Sequence, residues 1–267
     1  MACFPEVENF SWKTADVGGS ALATRFVRFF PERVKSWITV CVPVFPLARA
    51  GVPLADFDAI VRNFMPNFGY QIYFMNPEST EEVNEHLKAF ILLFGFQLEW
   101  GLEESVKEKI KALQLESLFP EGNFQKHFKN VSKIVESIEI GDPELSYLIA
   151  ELKKGGMEGP LNWYRTRSLD YADEQAADLP VEFPCDIPCL FLGASKDPTL
   201  PPAMFTREMK AMQFPKGNLT CTILDDANHF LFHAPPHRDE VTKIIGDWID
   251  EQGSKFGINR NFRYVPT

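Results

Sequence analysis

The sequence predicts a parallel α/β core interrupted by a helical insertion, and three observations carry that expectation. Strand-like and helix-like segments alternate at both ends of the chain. The clearest strand-like segment is a continuous apolar, β-branched run, the pattern of a strand buried on both faces. Between the two ends lies a long section that is rich in helical periodicity and poor in strand signals.

Each element follows from its residues. From Gly18 to Phe30 apolar side chains recur at helical spacing, and Pro31 ends the pattern. Trp37 to Val42 reads as a buried strand stopped by Pro43. Within the insertion, Glu81 to Phe96 and Leu102 to Leu115 carry helical patterns. Ile187 to Gly193 then reads as a strand, Pro202 to Met212 as a helix and Leu219 to Leu224 as a strand. Arg238 to Gln252 closes as an amphipathic helix. These elements divide the chain into core residues 1–43, a helical cap over 44–184, and the rest of the core over 185–267. Three strands make a small parallel core, so either strands hide in the cap or the sheet is incomplete at its N-terminal side.

Composition narrows the function classes. With 45% hydrophobic and 24% charged residues the chain has the balance of an ordinary globular protein, which excludes global disorder. A net charge of -10 argues against nucleic acid and anionic membranes as partners, since both reward clustered Lys and Arg. Five cysteines, an odd and sparse set, fit a reducing compartment better than a disulfide scaffold. Cys185 and Cys189 sit four apart with no second pair, so no metal site is expected there. Residues Met1 to Glu6 lack the basic and apolar regions of a signal peptide, and the apolar run from Phe90 to Phe96 is too short to span a bilayer. A cytoplasmic location is the expectation.

Three polar residues stand at chemically useful places. Asp16, in Thr14-Ala-Asp-Val-Gly-Gly-Ser20, precedes the first helix with a glycine two residues on. That pattern suits either a helix N-cap or a nucleophile elbow, in which a tight turn lifts the side chain toward N–H donors at the helix start. Asp197, in Gly193-Ala-Ser-Lys-Asp-Pro198, and His229, in Asp225-Asp-Ala-Asn-His-Phe230, each follow a predicted strand. Parallel sheets place functional groups at such carboxyl ends. Either is an ordinary loop residue alone; in the order acid, acid, histidine they match a hydrolytic triad, with His229 as general base. His233 and His237 read as surface residues, while His86 and His127 fall in cap helices. An aspartate nucleophile attacks saturated carbon to give an alkyl ester, which suits epoxides and alkyl halides.

Longer segments carry a resemblance. Asp16-Val-Gly-Gly, the helix leading to Phe30-Pro-Glu-Arg-Val34, and the strand ending at Pro43 resemble the elbow region of soluble epoxide hydrolases of the α/β-hydrolase superfamily. Phe68-Gly-Tyr-Gln-Ile-Tyr-Phe74 and Gly156-Met-Glu-Gly-Pro-Leu-Asn-Trp-Tyr-Arg165 resemble the two cap segments that carry ring-opening tyrosines in that family. The resemblance implies Asp16 as nucleophile, Asp197 as orienting acid, His229 as base, and Tyr70 and Tyr164 as the acid pair. It implies a small apolar epoxide and water as substrates, with no metal or organic cofactor. Val17, Phe68, Phe74 and Trp163 would line the substrate pocket, and Tyr73, Tyr147 and Tyr171 would pack in the cap core.

The sequence also departs from the family. No His-Gly-x-Pro loop, which supplies half of the oxyanion hole, occurs in the chain, and Glu6 to Ala15 is not a buried-strand run. Thr14-Ala-Asp-Val-Gly18 stands where the family has Gly-His-Asp-Trp-Gly. These departures predict a truncated core. A lost oxyanion donor costs about 10²–10³-fold in turnover. An unpaired flank on the strand beginning at Trp37 would invite oligomerisation. Two alternatives follow: a dehalogenase acting on haloalkanes or haloacids, which uses the same nucleophile, and an inactive truncated remnant serving as a binding or dimerisation module.

Overall fold

A computed structural model describes residues 17–44, 50–95, 103–113, 117–141, 143–232 and 237–255. In chain order its elements are α1 (Val17–Phe29), β1 (Trp37–Val40), α2 (Phe57–Phe64), α3 (Gly69–Met75), α4 (Ser79–Glu85), α5 (Leu87–Phe90) and α6 (Glu104–Lys111). There follow α7 (Asn123–Val135), α8 (Pro143–Gly155), α9 (Glu158–Arg165), α10 (Arg167–Ala177), β2 (Cys189–Ala194), α11 (Arg207–Gln213), β3 (Leu219–Leu224) and α12 (His237–Lys255). The chain divides into two compact units, Met1–Pro46 with Leu179–Thr267, and Leu47–Asp178.

The first unit is built on a parallel sheet of order β1-β2-β3. Trp37 pairs with Cys189 and Val40 with Leu192, while Cys189 pairs with Leu219 and Ala194 with Leu224. Every residue of the central strand β2 is buried. Its side chains alternate between two apolar clusters, as the two-residue period of a strand requires. Cys189 and Phe191 join Trp37, Val27, Phe205 and Phe214, so α1 and α11 cover that face. Leu190, Leu192 and Ala194 join Val40, Leu224, Val241 and Trp248, so α12 covers the other. Helices on both faces of a parallel sheet make this a doubly wound α/β core.

Two polar side chains hold this core in register. The buried Ser20 hydroxyl on α1 accepts from the Val40 backbone N–H at 3.0 Å and donates to the Val40 carbonyl at 3.2 Å. It thereby satisfies both main-chain groups of one residue on β1. Arg28 donates to the carbonyls of Pro180 and Val181 and to Gln213 Oε1, and its guanidinium lies 3.9 Å from the centroid of the Phe183 ring.

Among its described residues the second unit has helices and no strand, packed around a core that includes Phe74, Phe90, Phe124, Phe128, Val131 and Leu161. Gly69, at the start of α3, is required by close approach. A Cβ there would lie 1.9 Å from the backbone nitrogen of Glu121. That contact lets the Tyr70 N–H donate to the Phe119 carbonyl at 2.9 Å.

Several sequence expectations are corrected. Glu81 to Phe96 is not one helix: His86 takes a non-helical backbone between α4 and α5, and Ile91–Gly95 is a π turn. Pro202–Met204 forms a separate 3-10 turn, and Thr206 caps α11 by accepting from the Met209 N–H. The first strand stops at Val40 because Cys41 turns out of it with φ of 60°. Tyr147 is exposed, not core: Leu145, Leu148 and Leu152 form the inward stripe of α8, and Tyr147 falls off it. The His237 side chain is half-buried, with Nδ1 3.8 Å from Glu240, so it is only partly a surface residue. His233 lies outside the described residues. No described helix is long and apolar enough to cross a membrane.

Candidate active site

The carboxyl ends of the three parallel strands converge on one polar cluster in the first unit. After β2 the chain turns at Asp197, whose N–H donates to the Ala194 carbonyl. Oδ1 of the Asp197 carboxylate accepts from Thr199 N–H at 2.9 Å, Thr199 Oγ1 at 3.0 Å and Leu200 N–H at 2.8 Å. Three donors on one oxygen fix the carboxylate plane and leave Oδ2 for another partner. That partner is His229 Nδ1, at 2.5 Å.

His229 is delivered by the loop after β3, which is zipped to the loop after β2. Ser195 N–H donates to Leu224, Lys196 N–H to Ala227, and the Asp226 N–H to Ser195 Oγ. Asp226 takes φ of 58°, a left-handed turn that short polar side chains tolerate. From the loop after β1, the Cys41 thiol donates to the His229 carbonyl at 3.1 Å. With Nδ1 facing a carboxylate, the neutral imidazole carries its proton there, and Nε2 is the basic nitrogen. This is the arrangement of an oriented general base.

Burial works to raise the Asp197 carboxyl, but the hydrogen bond and charge of His229, with the Leu200 and Thr199 N–H groups, hold it below the ordinary carboxylate range. Because the folded value lies below the unfolded one, the ionised carboxylate stabilises the fold fully above about pH 4, and this contribution is lost as pH falls through the lower folded value. Urea unfolding across an acid pH series is therefore expected to show stability falling below about pH 4. Asp197→Asn should flatten that limb.

The second unit brings the two tyrosines together. Tyr70 on α3 and Tyr164 on α9 meet edge to face, with ring centroids 6.2 Å apart at 82°. Tyr70 is buried, and its phenol oxygen accepts from Gln71 Nε2 at 3.0 Å, a bond that does not use the phenol proton. Arg165 fixes α9 beside α3. Its guanidinium donates to the Phe74 and Asn76 carbonyls at the end of α3, and to Ser79 Oγ and Thr80 Oγ1. These are the carbonyls that a helix end leaves without intrahelical donors.

The other expected site residues fall at different depths. Phe68 is buried and stacks on Tyr70 at 6.4 Å, and Trp163 is half-exposed. Phe74 is fully enclosed by Tyr70, Tyr73, Phe90, Phe124 and Tyr164, so its ring belongs to the core. Tyr73 is also buried, and its hydroxyl donates to Glu82; burial first, and then that carboxylate, push its pKa well up. Asp16 and the Val17 side chain lie outside the described residues; α1 begins at Val17. Sequence reasoning gave no role to Thr199, Cys41 or Arg165. Only Arg165, directly after Tyr164, carried a readable signal.

A parallel sheet clad by helices on both faces, with an acid–histidine pair at its strand ends, defines the α/β-hydrolase class. The solved structures agree. Epoxide hydrolase A from Mycobacterium thermoresistibile matches with a TM-score of 0.56 and 22% identity, over 86% of this chain and 66% of that one. An epoxide hydrolase from Vigna radiata matches with a TM-score of 0.54 and 16% identity, over 86% and 65%. Among curated proteins, epoxide hydrolase srdG of Neurospora crassa is 26% identical over 244 residues, 87% of this chain and 64% of the relative. Bifunctional epoxide hydrolase 2 of Mus musculus is 26% identical over 234 residues, 84% of this chain and 36% of the relative. No family model matches the chain. The chain has the α/β-hydrolase fold and is similar in sequence to epoxide hydrolases, and it spans less than two thirds of these curated relatives' length.

Proposed function

We propose that the chain opens an epoxide to a vicinal diol through an ester on Asp16. The observation that carries this reading is the buried contact between Asp197 Oδ2 and His229 Nδ1 at adjacent strand ends. In the first step a carboxylate oxygen of Asp16 bonds to an epoxide carbon as the ring C–O bond breaks. Tyr70 and Tyr164 donate O–H bonds to the departing alkoxide, and one of the two phenols, protonated at neutral pH, gives it a proton and is left as a phenolate. In the second step His229 Nε2 removes a proton from water, which attacks the ester carbonyl carbon. The tetrahedral intermediate breaks its bond to the substrate oxygen, which takes the proton of the new Asp16 carboxyl group and leaves as the diol. The proton held by His229 returns to the phenolate, so carboxylate, imidazole and phenol are all regenerated. Asp197 holds the imidazole and stabilises its charged form.

The paired tyrosines favour an epoxide over an alkyl halide, because halide departure needs no proton. We read the protein as acting in the cytoplasm on small apolar epoxides. The test is hydrolysis of a styrene-type epoxide by the full chain beside an Asp16→Ala control. Diol formation that depends on Asp16 supports the reading; equal rates in both, or none in either, sink it. Tyr70→Phe with Tyr164→Phe is expected to slow the ring-opening step by about 10²–10⁴-fold in single-turnover kinetics, the usual worth of acid assistance.

A further inference from the structure

We propose that Cys41, Asp197 and His229 form an inhibitory site for Zn²⁺. One ligand atom from each of the three lies within 4.8 Å of both others, and all three residues are buried. Thiolate, imidazole and carboxylate are the donors that zinc takes in tetrahedral sites, at about 2.0–2.3 Å. Ligands at those distances stand roughly 3.4–3.7 Å apart, so His229 Nδ1 and Asp197 Oδ2, now 2.5 Å apart, must part by about 1 Å while the thiol adjusts by a similar amount to hold an ion.

The surroundings favour the same reading. Asp197 Oδ1 is held by Thr199 and Leu200, which aims Oδ2 inward as the outer contacts of a ligating carboxylate do. Cys41 is fixed by its N–H bond to the Leu192 carbonyl at 2.7 Å and by φ of 60°, a left-handed backbone state that non-glycine residues rarely adopt. That conformation is what brings a residue from the end of β1 beside the His–Asp pair. Ion binding displaces the Cys41 thiol proton and the proton shared by His229 Nδ1 and Asp197 Oδ2. The imidazole then loses its orienting contact, and the base is disabled while the ion stays bound.

The inhibitory role rests on the hydrolase reading; the binding itself does not. Cobalt(II) alone, titrated into the full chain, reports binding by the sulfur-to-metal charge-transfer band, with Zn²⁺ as competitor. We expect one ion per chain, with the band lost in Cys41→Gly, a substitution that φ of 60° accommodates, and retained in a Cys185→Ser, Cys221→Ser double variant. Circular dichroism checks that Cys41→Gly is folded. No band, a band that survives in Cys41→Gly, or a band lost in the double variant overturns the site. In turnover of a styrene-type epoxide, Zn²⁺ should inhibit the unaltered chain and leave Cys41→Gly at its own zinc-free rate. Undiminished turnover under saturating zinc overturns the inhibitory role. A chain that binds cobalt through Cys41 yet turns over no epoxide sinks the hydrolase reading and leaves the metal site standing.

Discussion

Asp197→Asn is expected to lower turnover by about 10⁴-fold, the loss seen when a triad acid is made neutral with its geometry kept. The local hydrogen bonds explain why so small a change costs so much. Oδ1 accepts from three donors, so the amide oxygen must occupy that position. The amide nitrogen then faces His229 Nδ1, where Oδ2 stood at 2.5 Å. Two donors cannot share that contact, so the imidazole moves its proton to Nε2 and ceases to be a base toward water. Steady-state rates of diol formation check this, with an unfolding curve at pH 7 to show that the variant is folded. A loss below about tenfold would mean that Asp197 does not orient a working base.

Phe74→Ala is expected to destabilise the second unit by about 3–5 kcal/mol, the range for deleting a fully buried phenylalanine ring. Domains of ordinary size are stable by only about 5–15 kcal/mol, so this is a large share. The ring sits against Tyr70, Tyr73, Phe90, Phe124 and Tyr164, with centroids 5.1–5.7 Å away. Its removal takes packing from both tyrosines, so turnover should fall along with the unfolding midpoint. Tyr164→Phe separates the two effects: it keeps the ring and the packing, and should impair ring opening with little change in midpoint. Urea unfolding of both variants reads the difference. A Phe74→Ala midpoint equal to that of the unaltered chain would mean that the ring lines an open pocket instead.

The sequence disclosed the sheet and the strand-end residues, for a physical reason in each case. Strands buried on both faces are continuous apolar runs, so Trp37 onward was readable, and chain order alone placed Asp197 and His229 after their strands. Patterns could not show which residues at three strand ends meet. Cys41 was unremarkable in sequence because its role depends on a left-handed backbone state and a neighbour 188 residues away. Nearness in sequence to Tyr70 does not tell whether Phe74 faces a pocket or the core, and nothing in the sequence marks Tyr147 as lying off the inward stripe of α8. Breaks such as His86 depend on packing partners distant in sequence. The short motif containing Tyr164 gave the tyrosine, but the clasp made by its neighbour Arg165 on the end of α3 needed coordinates.

The most direct test of the account is intact-mass spectrometry of a His229→Gln chain after incubation with styrene oxide. Without the base, the ester should form and persist, because water is no longer activated to cleave it. A mass increase of one substrate per chain is expected, mapped to the peptide containing Asp16, released by hydroxylamine and absent when Asp16→Ala is added. An unchanged mass, or an adduct confined to cysteine residues, would contradict it.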